Sequence, residues 1–158
     1  MGLERISVDN YFLKMATVVA ERATCRRHHV GAVAVRDKHV LATGYNGAPS
    51  GFKDCLELGC MRDELGITTG VKRELCRAVH AEENIVTQAS LHSTRLLGST
   101  VYCTHTPCVT CARLLVNCGV ERFVSCGVYN NDCNDVFRQG GVVLDVLGWP
   151  SLIIETLE

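Results

Sequence analysis

The sequence predicts an α/β fold in which a β-sheet is covered by helices. Three observations carry that expectation. In the second half of the chain, β-branched runs of strand length alternate with segments of helical period, the pattern of parallel strands joined by helical crossovers. In the first half, two short apolar runs separated by a polar turn read as an antiparallel hairpin. Ahead of both, apolar residues recur at helical spacing behind a serine able to cap them.

Taken in order, Ser7 precedes apolar positions 8, 11, 12, 15, 16 and 19, so a first helix is expected over about 8–23. The runs 30–35 and 40–45 form the hairpin, turning at Arg36, Asp37 and Lys38. From 46 to about 77 periodicity fails, and Gly47, Pro49, Gly51, Gly59, Gly66 and Gly70 punctuate the segment. A loop of that length in a compact domain is functional or held by something. Regular order then returns: helix 79–92, strand 100–103, helix 108–118, strand 122–125, a short helix 132–138 and strand 142–144. There is no internal repeat, low-complexity tract or linker.

Residues 1–158 fit a single domain, long enough to bury a sizeable core without staples. A formal charge of -1 with no basic stripe argues against extended nucleic acid and a membrane surface as partners, and leaves a small anion open. Four Phe, four Tyr and one Trp offer little stacking platform for a single strand. The start, Met1 to Arg5, is polar and does not read as a secretory signal. No apolar run approaches the roughly 18 residues of a membrane span, so a cytoplasmic location is expected. In a reducing compartment the ten cysteines are not a disulfide framework. They are metal ligands, or small buried apolar residues.

Two segments carry chemistry. Val79-His80-Ala81-Glu82-Glu83-Asn84 and Thr106-Pro107-Cys108-Val109-Thr110-Cys111 each open a predicted helix. Pro107 suits a helix start, and Cys108 and Cys111, three apart, share a face of the first turn. A helix N-terminus favours their thiolates. One imidazole and two thiolates make a catalytic-type zinc site with three protein ligands, His80, Cys108 and Cys111, and a fourth position for water. Glu82 reaches that position as a proton shuttle. Its neighbour Glu83 points off that face and is expected in solvent. CxxC alone is also a redox or structural-zinc pair; jointly with the His-Ala-Glu segment it matches the zinc nucleobase deaminase signature.

On these motifs, together with Val30-Gly31-Ala32-Val33 and Gly44-Tyr45-Asn46-Gly47-Ala48-Pro49-Ser50-Gly51, the chain resembles the deoxycytidylate (dCMP) deaminase family of the cytidine deaminase superfamily. That family includes late-competence-protein-like bacterial and phage members, and the likeness runs from about Ser7 to Leu144. The resemblance implies a three-layer cytidine-deaminase-like fold, a five-stranded mixed sheet flanked by helices. It implies hydrolysis of dCMP to dUMP and ammonia, supplying dUMP for thymidylate synthesis, with Asn46, Ala81, Thr106, Pro107 and Tyr129 around the substrate. It further implies a homohexamer in which dCTP and dTTP, carried with Mg2+, act through Gly44, Asn46, Gly47 and Gly51. Arg26 and Arg27 are phosphate candidates on charge alone. The alternatives are a deaminase of another pyrimidine nucleotide or a free nucleoside, and a zinc-binding competence or DNA-uptake accessory protein.

Cys25, Cys55, Cys60 and Cys76 lie in the irregular first half. Four thiolates there would close a structural zinc that orders the long loop, as in some members of the family; the alternative is four free thiols. Cys103 and Cys118 fit core positions, and Cys126 and Cys133 receive no role.

Overall fold

The computed structural model describes residues 5–150. The chain start at Met1 to Glu4 and both ends of the expected 1–158 domain lie outside the described residues. The element order is α1 (Val8–Ala20), β1 (Gly31–Arg36), β2 (His39–Tyr45), α2 (Cys55–Leu58), α3 (Met61–Glu64), a 3-10 turn (Arg73–Leu75), α4 (Ala81–Leu91), β3 (Thr100–His105), α5 (Val109–Asn117), β4 (Arg122–Gly127), α6 (Cys133–Gly140) and β5 (Val143–Val146). Among the described residues no helix is long and apolar enough to cross a membrane.

The strands form one five-stranded sheet in the order β2-β1-β3-β4-β5. β1 pairs antiparallel with β2 and β3, while β3–β4 and β4–β5 are parallel, so the sheet is mixed as expected. Asp37 and Lys38 close the hairpin with φ of 51° and 63°, the left-handed pair that matches strand twist in a two-residue turn. Alternation along the strands sorts the core into two layers. Val33, Val35, Tyr102, Val124 and Cys126 face Phe12, Leu13 and Ala16 of α1. Ala32, Ala34, Val101, Cys103 and Phe123 face the opposite layer, where Ile85 of α4, Leu115 of α5 and Phe137 of α6 pack. The central strands are buried on both faces, which is why they read as continuous apolar runs.

Two element boundaries differ instructively from the sequence reading. α1 ends at Ala20, three residues short, because the N–H groups of Glu21, Arg22 and Ala23 bond back to the carbonyls of Val18, Val19 and Ala20 and tighten the chain into its exit. The segment after β2 is not structureless: α2 is capped by the Asp54 carboxylate, which accepts from the Leu56 and Glu57 N–H groups at 2.8 and 3.2 Å.

Candidate active site

His80 and Cys108 are N-caps, closing the extended segments that lead into α4 and α5. Their side chains therefore stand at the positive ends of two helices, where thiolate is favoured. Cys111 lies one turn into α5, and its N–H donates to Cys108 Sγ at 3.4 Å. His80 Nδ1 is 3.4 Å from Cys111 Sγ and 3.7 Å from Cys108 Sγ. All three ligand atoms lie within 4.8 Å of one another, the one such group of His, Cys, Asp or Glu among the described residues. Zinc at its usual bond lengths, about 2.0–2.1 Å to nitrogen and about 2.3 Å to sulfur, holds tetrahedral N and S ligands about 3.6 Å apart. The triad fits that ion and leaves one coordination position over. The two sulfurs share a hydrogen bond that holds Cys108 toward thiolate and pushes the Cys111 thiol up; the bond to Cys108 raises His80.

Several contacts place α4 so that His80 meets α5. Gly44 on β2 lies under its first turn: a Cβ there would stand 2.3 Å from the Ala81 carbonyl oxygen and 2.7 Å from Ile85 N. Only a residue without Cβ permits that approach. Gly47 exchanges backbone hydrogen bonds with Val79, at 3.1 and 2.8 Å, immediately before the ligand. Asn84 Nδ2 donates to the Tyr45 carbonyl at 2.7 Å. Glu83, expected in solvent, is half-buried and its carboxylate accepts the His80 N–H at 2.8 Å, satisfying one of the helix's free donors. The spacing of His80 and Glu83 carried that signal, since N-cap and third helical residue form a capping pair.

A cleft opens beside the triad, lined by His80 and Cys108. Glu82 lines it, is only 4% exposed, and has its carboxyl pushed up to about 7 by burial against the opposing charge of His80. Asn46, Ala81, Thr106 and Tyr129 also line it. Asn46 is braced at both ends of its amide, accepting the Val30 N–H at 2.9 Å and donating to the His28 carbonyl at 2.8 Å. Thr106 Oγ1 donates to the Asn130 carbonyl at 3.0 Å and accepts the Tyr129 N–H at 2.9 Å, tying the exit of β4 to the start of α5. Pro107 is fully buried behind them.

The other residues singled out in the sequence fall elsewhere. Gly51 stands in the exposed turn after β2 with φ of 82° and nothing within 4 Å of a Cβ. Arg26 is exposed, and Arg27 is held by Asp63, 2.7 Å from Nε, and by the Ile67 carbonyl at 2.7 Å; neither lines the cleft. Two other arginines do, Arg62 and Arg73, from the segment where periodicity fails and no pattern singles them out. The cysteines 25, 55, 60 and 76 gather in one neighbourhood: burial raises the Cys55 thiol, and the other three sulfurs raise it further. Their sulfurs do not form a group of three within 4.8 Å. Cys103, Cys126 and Cys133 are buried and Cys118 is half-buried.

Residues 6–127 match the family described as the cytidine and deoxycytidylate deaminase zinc-binding region. The chain is 38% identical over 142 residues to the deoxycytidylate deaminase of Schizosaccharomyces pombe, covering 89% of this chain and 44% of that one. It spans less than half the length of that relative. It is 41% identical over 127 residues to the deoxycytidylate deaminase of Mycobacterium phage D29, covering 77% of this chain and 96% of the phage protein. The crystal structure of dCMP deaminase from the cyanophage S-TIM5, in complex with dCMP and dUMP, superposes with a TM-score of 0.77 at 31% identity over 92% of this chain and 100% of that one. A match of residues 6–127 to the family's zinc-binding region, well over half the chain, and the shared fold mean that the chain, with its His80, Cys108 and Cys111 triad, belongs to the cytidine and deoxycytidylate deaminase family.

Proposed function

We propose that this chain hydrolyses the 4-amino group of dCMP, giving dUMP and ammonia, with zinc held by His80, Cys108 and Cys111. The observation that carries this reading is Glu82, a buried carboxylate in the same cleft, two residues from one ligand, in a chain similar to named dCMP deaminases. Bound zinc supplies Lewis acidity that makes water a nucleophile at neutral pH. Glu82 moves the protons: it takes one from the attacking water and delivers it to N3, then carries the second to the leaving amine. The Thr106 main chain meets the amino group, while Asn46, fixed by His28 and Val30, turns its remaining donor and acceptor capacity to the sugar. Tyr129 and the buried Ala81 shape the walls, and Pro107, which does not line the cleft, backs Thr106.

The test is dCMP deamination by the wild type and Glu82→Gln, with zinc counted in both. Turnover lost with zinc retained is the expected outcome. Full activity in the variant overturns the assignment, and turnover of deoxycytidine in preference to dCMP moves the substrate to the nucleoside.

The same reading includes a second, structural zinc on Cys25, Cys55, Cys60 and Cys76. It is supported by the burial of the first three and by the mutual influence of all four sulfurs at Cys55. Elemental analysis giving two zinc ions per chain is expected; one rejects the site. Control by dCTP and dTTP with Mg2+, in a cytoplasmic homohexamer, rests on the resemblance of the 44–51 loop. The exposed turn at Gly51 and Phe52 and ten unpaired cysteines accord with it. Light scattering on the purified protein and dCMP rate curves with each triphosphate test it; a hyperbolic curve unmoved by dCTP counts against it.

A further inference from the structure

Among the residues that line the cleft one is acidic, Glu82, and two are arginines, Arg62 and Arg73. Arg62 is 6% exposed and forms no ion pair among the described residues, a rare combination for an arginine. One of its nitrogens, Nη2, donates to the Thr68 carbonyl at 2.6 Å, while Nε is buried with no partner among the described residues. Arg73 likewise has a buried Nε without a partner among the described residues, and its guanidinium lies over the Tyr129 ring, 5.1 Å from the centroid. Buried guanidinium donors left free beside a cleft are costly unless something fills them. His28, which also lines the cleft, is pushed down by burial and by Arg62 and Arg27. Arg27 also has a buried nitrogen, Nη1, with no partner among the described residues, but its Nε is engaged with Asp63 and it does not line the cleft; Arg26 faces solvent.

We infer that Arg62 and Arg73 form the subsite that selects a phosphomonoester, so that they, rather than Arg26 and Arg27, make this site prefer a nucleotide over a nucleoside. The inference rests on the deaminase reading for the identity of the base and on its own geometry for the anion. Planar guanidinium groups match the tetrahedral oxygens of a monophosphate in bidentate fashion. Tyr129 serves as the platform that fixes Arg73 in plane. Its backbone is in turn tied by Thr106 to the residue before Pro107 and Cys108, so the anion wall and the metal helix share one braced loop.

The experiment is equilibrium binding by calorimetry of dUMP and deoxyuridine to zinc-replete wild type, Arg73→Gln, Arg62→Gln and Arg26→Gln, alongside dCMP kinetics. Wild type is expected to bind dUMP far more tightly than deoxyuridine. Arg73→Gln should weaken dUMP roughly 10- to 100-fold, the loss of a charge-assisted hydrogen bond to a charged ligand, with deoxyuridine changed less than about twofold. Arg73→Lys should recover part of the loss, and Arg26→Gln should change neither ligand. Arg62→Gln should follow Arg73→Gln; where burial of position 62 prevents its folding, the Arg73 pair decides. Equal losses for dUMP and deoxyuridine, or a wild type indifferent to the phosphate, overturn the subsite. A wild type that prefers dUMP in an Arg73-dependent way but does not deaminate dCMP leaves the subsite standing and sinks the deaminase reading instead.

Discussion

The two walls of the cleft are built on different principles. One is the meeting of α4 and α5, helices whose starts are fixed by the sheet beneath: Gly44 admits the α4 backbone, Gly47 pairs with Val79, and Pro107 and Cys108 follow directly from β3. The other is the segment from 48 to 77, held by short helices, single side-chain-to-backbone bonds and a cluster of thiols. Regular elements fix the reacting groups within tight tolerance, which chemistry requires. The irregular wall carries charge that reads a ligand, where loops commonly place recognition. Substitutions in the first wall should act on turnover, and those in the second on affinity.

The largest effect expected from the regular wall is at Glu82. Replacing it by glutamine keeps the shape and removes the proton carrier, and kcat should fall by roughly 10²- to 10⁴-fold. Stopped-assay turnover with zinc content in parallel checks this. A comparable fall in zinc content would mean that Glu82 supports the ligands rather than the proton transfer, and would break the division between the walls.

Next comes the glycine contrast. Gly44→Ala would set a Cβ 2.3 Å from the Ala81 carbonyl oxygen, in a place where backbone must move. Overpacking of this kind costs about 1–3 kcal/mol, and here it also displaces the start of α4. Gly51→Ala meets nothing within 4 Å and is strained only by its φ of 82°, so roughly 1 kcal/mol is expected. Denaturant melts of the two variants should separate them, with zinc affinity lowered in the first alone. Equal behaviour would show that the 44–51 loop acts as one unit.

Thr106→Val removes a hydroxyl that makes two hydrogen bonds while keeping the volume. A loss of about 1–3 kcal/mol from the half-buried partners left behind should loosen Tyr129, and with it Arg73. The expected kinetic signature is a rise in KM for dCMP that Thr106→Ser restores. A fall in kcat alone would assign the hydroxyl to the metal helix instead.

The same division explains what the sequence could tell. Helix period, strand alternation, the Ser7 cap and the two short ligand motifs are local properties, so the order of regular elements and the triad were legible. The mixed sheet followed from the family resemblance, whereas the layers that Val33 and Ala32 face came only with the structure. Arg62 and Arg73 were not legible, because nothing in a non-periodic segment tells which of its cations folds inward. Arg27 looked available because its partner Asp63 is 36 positions away. Glu83 was misread through attention to helix faces, which neglected that the third helical residue reaches back to the cap.

The smallest effect sharpens the comparison from the regular side, away from the cleft. Asp9 at the start of α1 accepts from Arg122 Nη1 and Nη2 at 2.8 and 3.0 Å and from the Tyr102 hydroxyl at 2.8 Å, joining α1 to β3 and β4. The Arg122 hydrogen bond, against burial, holds the Asp9 carboxyl below its ordinary 3.8. A carboxyl depressed in the folded state binds its proton more readily in the unfolded chain, so its stabilisation is full above the unfolded pKa and is lost as pH falls through the folded one. With both partners partly in solvent, that contribution is under about 1 kcal/mol after screening. Asp9→Asn should therefore be less stable than wild type by this amount at neutral pH, and the gap should close as pH falls below about 4. Thermal melts over a pH series read it, and zinc content and dUMP affinity at neutral pH should stay unchanged. A gap that persists at pH 2 would mean that Asp9 acts through packing at the α1 start rather than through its charge.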